Sequence, residues 1–197
     1  MKELFSEKGH LMLKFAVNQF AMSIFGIMIA FAAVAANEKL LIPFGIFSSL
    51  FFFFLIYYFI WEDGAKDAIR AGYGKIKEDR FCSLKYCFIA HLPSLICVIL
   101  YIILNVFGSG NTAESIKSIL IIIISFFMYG MFMGISRGLA LTFGSTVNID
   151  GVETKVFSFV DNGYIYIIFS IITMAVVFFA YYFGLKNIRF TKKKTER

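Results

Sequence analysis

The sequence predicts an all-α fold, a polytopic transmembrane helix bundle. Of the 197 residues, 59% are hydrophobic, and the mean hydropathy is +0.79, whereas a soluble domain is nearer half apolar. A helix needs about 20 apolar residues to cross the roughly 30 Å hydrocarbon core of a bilayer. Five segments are long enough: 11–36, 40–61, 84–107, 116–136 and 164–185. Because they occupy most of the chain, we expect residues 1–197 to form a single integral membrane domain.

The first segment carries small and polar residues on one helical face. They recur at spacings of three and four: Gln19, Ser23, Gly26, Ala30 and Ala33, with Asn18 adjoining. Membrane helices pack closely on such surfaces, and an amide in lipid needs a partner, so this face should contact protein. The lysines before the segment and the Ala33-Val34-Ala35 sequence resemble a signal peptide. The apolar part exceeds the usual 7–15 residues, which favours a retained helix over a cleaved one.

The second segment is dominated by aromatic residues and is followed by charges. Phenylalanines fill positions 51–54, and Tyr57, Tyr58 and Trp61 are typical of a membrane interface, so we expect a lipid-exposed helix. Residues 62–83 then form a predicted cytoplasmic loop, because five Lys or Arg lie between positions 62 and 80. The helical spacing of its charges predicts a short surface helix that ends at Gly72 and Gly74. This loop could dock a cytoplasmic partner or simply be solvated.

Two polar residues stand out in the third and fourth segments. His91 could relay protons or contact a ligand; alternatively it is a histidine hydrogen-bonded to a neighbouring helix or to the carbonyl that Pro93 frees. Arg137 could line a pore or bind a lipid headgroup, or it could be a helix-end arginine that reaches the interface.

The fourth segment also contains the strongest packing motif of the chain. Gly130, Gly134 and Gly138 share one helical face in a repeated Gly-xxx-Gly pattern. This face could form an oligomer interface or pack within the monomer.

Beyond the fourth segment, Asp150-Gly151 lies between alternating residues and predicts a small β-hairpin over 147–156. The basic tail, residues 186–197, closes the chain.

The distribution of charges bears on the topology. If all five segments cross, the two termini lie on opposite sides of the membrane. Eleven Lys and Arg residues are then cytoplasmic and eight are outside. If the fourth segment re-enters instead, both termini are cytoplasmic, and fifteen Lys and Arg residues are cytoplasmic against four outside. The positive-inside rule favours the second arrangement, and the glycines of the fourth segment permit a broken, re-entrant helix. Five plain spans remain the alternative.

The sequence contains no recognisable catalytic or cofactor site. All thirteen acidic residues fall outside the apolar segments, which argues against proton- or sodium-coupled transport. The three cysteines and two histidines lack the spacing of a metal site, and no phosphate-binding glycine loop is present. We therefore expect neither an enzyme nor a bound cofactor. The net charge of +6 fits helix-end and tail residues that meet anionic membrane lipids rather than nucleic acid.

Two short motifs carry a resemblance. Trp61-x-x-Gly64-x-Lys66-Asp67, a basic loop, and later Tyr182-x-Gly184-x-Lys186 resemble a pattern in uncharacterised multi-pass membrane proteins of Gram-positive bacteria. The resemblance covers about a quarter of the chain and implies no known activity. Together with the scarcity of proline and the abundance of Phe, Ile and Lys, it favours a bacterial cytoplasmic membrane.

Two functional hypotheses follow from these patterns. The first is an accessory or structural subunit of a larger membrane complex, because several helices carry small-residue faces and Gln19 and Asn18 need partners. The second is a self-associating transporter, channel or lipid-handling protein with Arg137, His91 and Asn105 along a path.

Overall fold

The computed structural model describes residues 2–149 and 152–188, with side chains for residues 8–148 and 153–188. Nearly all of this part of the chain is helical. The helices are α1 (Lys2–Ala36), α2 (Leu41–Gly72), α3 (Cys82–Phe107), α4 (Asn111–Ile123), α5 (Met133–Phe143), α6 (Ser158–Asp161) and α7 (Tyr164–Leu185), and the strands are β1 (Ser145–Ile149) and β2 (Val152–Val156).

Five helical stretches in the described residues are long and apolar enough to cross a bilayer. They are Lys8–Ala36, Glu38–Gly72, Cys82–Phe107, Asn111–Met128 and Tyr164–Leu185. This confirms the all-α polytopic fold, and the chain is a multi-pass integral membrane protein.

The bundle has two chemically different ends. At one end, Lys8 of α1 contacts Asp63 of α2, and Asp63 contacts Tyr86 of α3; we call this the charged end. At the other, the Tyr101 hydroxyl donates a 2.8 Å hydrogen bond to the backbone oxygen of Asp161, just before α7; we call this the hairpin end. The N-terminal end of α1 and the C-terminal end of α7 therefore both lie at the charged end.

The fourth segment enters and leaves the bundle at the hairpin end. α4 follows α3 after a three-residue turn there. Halfway along the bundle, Gly130 reaches Ser23 of α1. α5 then runs back along the start of α2, since Gly134 packs against Gly45 and Gly138 against Ile42. The fourth segment is thus re-entrant, which agrees with one of the two topologies considered from the sequence. The helices that run the full length of the bundle are α1, α2, α3 and α7.

The backbone at the tip of this re-entrant segment is not α-helical. A π-helical turn (Ile124–Met128) and a 3₁₀ turn (Gly130–Phe132) flank Tyr129. Freed backbone groups inside a bilayer need partners, and neighbouring helices supply them. The Gln19 amide donates to Met128 O at 3.0 Å, Ser49 Oγ donates to Met131 O at 3.2 Å, and Gly130 N donates to Ser23 Oγ at 3.2 Å.

The structure corrects the prediction for residues 62–83. They are not one loop, because α2 continues without a break to Gly72, the first of the two glycines expected to end the surface helix. Only residues 73–81 connect α2 to α3. The helix continues because Asp63 and Asp67, one turn apart, both point into the bundle, where Lys8 compensates their charges.

The expectation that α2 is lipid-exposed is also wrong for much of the helix. Phe52, Ile56 and Ile60 are fully buried, whereas Phe54 is 63% exposed. α2 packs against α1, α5 and α7, because its glycines and serines let other helices approach between the aromatic side chains.

The glycines of the fourth segment pack within the monomer. A Cβ atom at Gly130 would lie 2.3 Å from Ser23 O, and one at Gly134 would lie 2.7 Å from Gly45 Cα. The stripe on α1 is buried too, from Gln19 to Ala33. These two predicted contact faces therefore serve the fold of one chain.

The predicted β-hairpin is confirmed. β1 and β2 pair antiparallel, with Ser145 opposite Val156 and Ile149 opposite Val152. The expected turn, Asp150-Gly151, lies outside the described residues, as does most of the basic tail after Ile188.

Candidate functional site

The tip of the re-entrant segment lies in a buried polar network centred on His91. His91 is 1% exposed. Its Nδ1 is 3.2 Å from Gln19 Oε1 on α1, and its Nε2 is 3.2 Å from Ser170 Oγ on α7 and 3.0 Å from the Tyr129 hydroxyl. We call Gln19, His91, Tyr129 and Ser170 the midplane network.

The hydrogen bonds of Gln19 fix the orientation of its amide group and the tautomer of His91. A carbonyl oxygen only accepts, so the Gln19 amide nitrogen must face Met128 O, as its 3.0 Å contact requires. Gln19 Oε1 is then left to accept from His91 Nδ1–H. In the neutral ring Nε2 therefore accepts, and the Tyr129 hydroxyl can donate to it. Ser170 Oγ donates to Tyr166 O at 2.8 Å and also lies 2.5 Å from the Tyr129 hydroxyl, so the one proton of Tyr129 is shared between His91 Nε2 and Ser170 Oγ.

A small polar pocket lies between this network and the hairpin end. It has a volume of about 60 Å³ and lies between the two arms of the re-entrant segment and helices α3, α6 and α7. Tyr129 lies at its inner end, and Arg137 lies on α5 on the way to the hairpin end. Polar lining residues are Tyr101, Ser125, Tyr129, Ser136, Arg137, Asp161 and Tyr166. A water-sized or slightly larger polar solute would find hydrogen-bonding groups along this wall.

An apolar layer separates the midplane network from the charged end. Each full-length helix contributes one side chain that is 0% exposed: Phe15, Ile56, Cys87 and Val177. The Phe15 ring also meets the His91 ring edge to face, with centroids 6.3 Å apart. Such a dry constriction blocks polar solutes, so the bundle is closed below the midplane network.

The charged end contains a buried ion cluster. Lys8 Nζ contacts Asp63 Oδ1 at 2.8 Å and Asp67 Oδ2 at 2.7 Å. The Tyr86 hydroxyl donates to Asp63 at 3.0 Å and the Tyr181 hydroxyl to Asp67 at 2.8 Å. The Lys8 side chain is 6% exposed and that of Asp67 is 4% exposed. We call these five residues the Lys8 cluster; it links all four full-length helices.

The two short motifs of the sequence meet beside this cluster. Gly64 of α2 and Gly184 of α7 face each other so closely that a Cβ at Gly184 would lie 2.2 Å from Trp61 O. Trp61 Nε1 donates to Ile188 O at 2.9 Å. The motif residues thus build the α2–α7 crossing that positions Asp67 next to Tyr181.

The structure brings some of the candidate residues together and separates others. Gln19 and His91 belong to the midplane network, and Gly130 adjoins Tyr129. Arg137 is exposed and lies nearer the hairpin end. Asn18 is half-buried outside the network, and Asn105 is half-buried with an amide nitrogen that has no hydrogen-bond partner among the described residues.

Sequence reasoning missed Tyr129, Ser170 and the Lys8 cluster. Tyr129 and Ser170 are single polar residues in apolar runs and carry no spacing signal. Lys8 and its two aspartates are 55 and 59 positions apart, so no local pattern pairs them. The only available signal was the helical spacing of Asp63 and Asp67.

Comparisons with protein-family models, with curated proteins and with solved structures find no match.

Proposed function

We propose that the protein is a transport protein of a bacterial cytoplasmic membrane, which moves a small polar solute or ion along the axis of the bundle. The observation that carries the proposal is the tip of the re-entrant segment, where the α-helix is broken at half depth beside His91 and next to a polar pocket. Broken helices at the membrane midplane are typical of transport sites, since irregular backbone there is tolerated only within protein or along a cavity.

The layers of the bundle support a closed state in which the solute site faces the hairpin end. The polar pocket is lined both by Tyr129 and by Tyr101 and Asp161 of the hairpin end. The apolar layer and the Lys8 cluster then separate the midplane network from the charged end. Transport requires this closed half to open, and the sequence assigns the charged end to the cytoplasm, because fifteen of the nineteen Lys and Arg belong to it by chain position.

The buried carboxylates also change the argument against ion coupling. The apolar segments themselves contain no acid, but Asp63 and Asp67 lie inside the bundle at its charged end. A proton or cation is therefore included among the candidate solutes. No covalent chemistry and no cofactor are part of the proposal.

Flux measurements in proteoliposomes test it. The vesicles contain pyranine to report protons, and light scattering reports the entry of urea, glycerol and ammonium. We expect flux above that of protein-free vesicles for at least one of them. Tyr129→Phe keeps the ring but removes the hydroxyl, so it should reduce this flux about 2- to 10-fold, as the loss of one net hydrogen bond of about 0.5–1.5 kcal/mol implies.

Tyr58→Phe is the matched control, because Tyr58 is 63% exposed and lies outside the pocket. It should leave flux unchanged. His91→Ala and Arg137→Ala should each reduce flux as well. The proposal is overturned if no solute in the set moves faster than through protein-free vesicles, or if Tyr58→Phe and Tyr129→Phe have equal effects.

A second candidate function is that of an accessory subunit in a larger membrane complex. The observation in its favour is α4, in which no residue is buried; Ile116, Ile119 and Ile122 are all more than 40% exposed. Another membrane subunit or a second copy of this chain could cover that face, and a cytoplasmic partner could bind the exposed charges of residues 62–80. Purification in mild detergent with mass analysis of the intact complex separates the cases. A stoichiometric foreign partner supports the accessory role, whereas a pure homo-oligomer or monomer contradicts it.

A further inference from the structure

A groove at the hairpin end combines an apolar floor with charges of both signs. It lies between the end of α1, the start of α2, α5 and the β-hairpin, and has a volume of about 580 Å³, within the usual range of about 300–1,000 Å³ for small-molecule sites. The apolar floor is formed by Ala30, Phe31, Val34, Leu41, Ala140 and Leu141. Phe31 is 58% and Val34 47% exposed, so this floor continues into the lipid-facing surface of α1.

Four charged side chains line the groove. They are Arg137 of α5, Glu38 before α2, and Glu153 and Lys155 of β2. Glu153 and Lys155 are two positions apart on one strand, so both side chains are on the same face of the hairpin. Within the described part of the chain, no ion pair joins any of the four to an opposite charge. Two cations and two anions thus remain available beside apolar surface.

We propose that this groove binds a phospholipid with a primary-amine headgroup, phosphatidylethanolamine. Arg137 and Lys155 suit the phosphate, because a guanidinium and an ammonium both donate to phosphate oxygens. Glu38 and Glu153 suit the headgroup ammonium, which neutralises them and donates hydrogen bonds. The acyl chains lie along Phe31 and Val34. The groove shares Arg137 with the polar pocket at Tyr129, but its apolar floor and the other three charges lie outside that pocket, and the proposal does not depend on transport.

The chemistry discriminates between headgroups. Phosphatidylglycerol offers the phosphate but no cation, so Glu38 and Glu153 would repel its net negative charge. Phosphatidylcholine is zwitterionic, but its quaternary ammonium has no N–H and cannot donate to a carboxylate. Phosphatidylethanolamine satisfies both pairs of charges.

Lipid retention by the purified full chain tests the proposal. Protein in mild detergent is incubated with equal amounts of phosphatidylethanolamine, phosphatidylglycerol and phosphatidylcholine, and bound lipid is counted by native mass spectrometry. We expect phosphatidylethanolamine to be retained preferentially. Arg137→Gln should weaken its retention about tenfold, as expected for the loss of a charge-assisted hydrogen bond. Lys117→Gln is the matched control, because Lys117 lies at the same end but pairs with Glu114 outside the groove; it should retain the wild-type preference.

The acidic residues give a second, opposite test. The double variant Glu38→Gln with Glu153→Gln removes both anions, so its preference should shift from phosphatidylethanolamine to phosphatidylglycerol. This result does not depend on loss of binding and therefore cannot arise from misfolding. The proposal is overturned if the wild type retains all three lipids equally, or prefers phosphatidylglycerol, or if the double variant keeps its preference. It is also overturned if soluble glycerophosphoethanolamine displaces the lipid at equal concentration, since the apolar floor would then contribute nothing.

Discussion

Among single residues, Lys8 has an unusual environment for a lysine. Its ammonium group lies between two buried carboxylates, within 3.0 Å of three of their oxygens, and 5.9 Å from the centre of the Tyr86 ring. A buried ion pair contributes little net stability when intact, but removal of one partner leaves the other charge buried and uncompensated. Substitution of Lys8 should therefore lower the free energy of unfolding by much more than the intact ion pairs contribute to it.

We predict that Lys8→Met lowers the free energy of unfolding by about 3–5 kcal/mol, the usual cost of breaking a buried pair. Unfolding in mixed detergent and SDS micelles measures it. Lys66→Met is the matched control, because Lys66 pairs with Glu62 on the surface and its side chain is 66% exposed; exposed pairs contribute about 0–1 kcal/mol. Adding Asp63→Asn to Lys8→Met should recover part of the loss. Equal effects of the two lysine variants would contradict the burial of the cluster.

The Lys8 cluster also shows where sequence reasoning stops at the residue scale. Lys8 precedes the first apolar segment and Asp63 follows the second, so each has a polar neighbourhood that predicts a surface position. Their burial results from helices that extend beyond the apolar segments, and only the tertiary structure shows that these extensions meet. His91 was singled out because one histidine in an apolar run is conspicuous, while its partner Tyr129 resembles any aromatic residue of the segment.

At the scale of elements, helix packing in this fold depends on close backbone approach at glycines. The re-entrant segment packs on α1 through Gly130 and Gly26, and on α2 through Gly134 and Gly45. Without a hydrophobic driving force between helices in lipid, such contacts provide the van der Waals packing that holds them together. Gly130 lies in the 3₁₀ turn and contacts α1, whereas Gly134 and Gly138 lie in α5 and contact α2, so the three glycines do not share one helical face as expected. The glycine spacing predicted close packing at these positions. It could not identify the partner helix, since oligomer and monomer packing require the same pattern.

We predict that Gly134→Ala destabilises the protein by about 1–3 kcal/mol, the typical cost of overpacking a tight contact. The new Cβ would lie 2.7 Å from both Gly45 Cα and Leu41 O, and backbone atoms cannot move aside as a flexible side chain could. Gly9→Ala is the matched control: it lies in α1 with no atom within 4 Å of an added Cβ, so helix propensity should make it neutral or stabilising by up to about 1 kcal/mol. Thermal unfolding in detergent measures both, and a neutral Gly134→Ala would contradict the α2–α5 packing.

At the scale of the whole molecule, the re-entrant segment determines which connections share one end of the bundle. With four full crossings, the start of α1 and the end of α7 both lie at the charged end. By sequence position, fifteen of the nineteen Lys and Arg residues adjoin helix ends on that side. Five plain crossings would have divided these residues almost evenly. The structure resolves the conflict that the sequence left open, because Tyr129 turns the fourth segment back at half depth and the chain returns to the end at which it entered.

We therefore predict that residues on either side of the re-entrant segment are accessible from outside the cell, and that the α2–α3 connection is accessible only from the cytoplasm. The native Cys82, Cys87 and Cys97, all free thiols, are first replaced by alanine. Ser109→Cys and Glu153→Cys should then react with a membrane-impermeant maleimide on intact cells. Lys77→Cys should react only after permeabilisation, because positive residues are retained inside. Labelling of Ser109→Cys and Glu153→Cys from opposite sides would mean that the fourth segment crosses, and the polar pocket would then no longer end at a closed midplane.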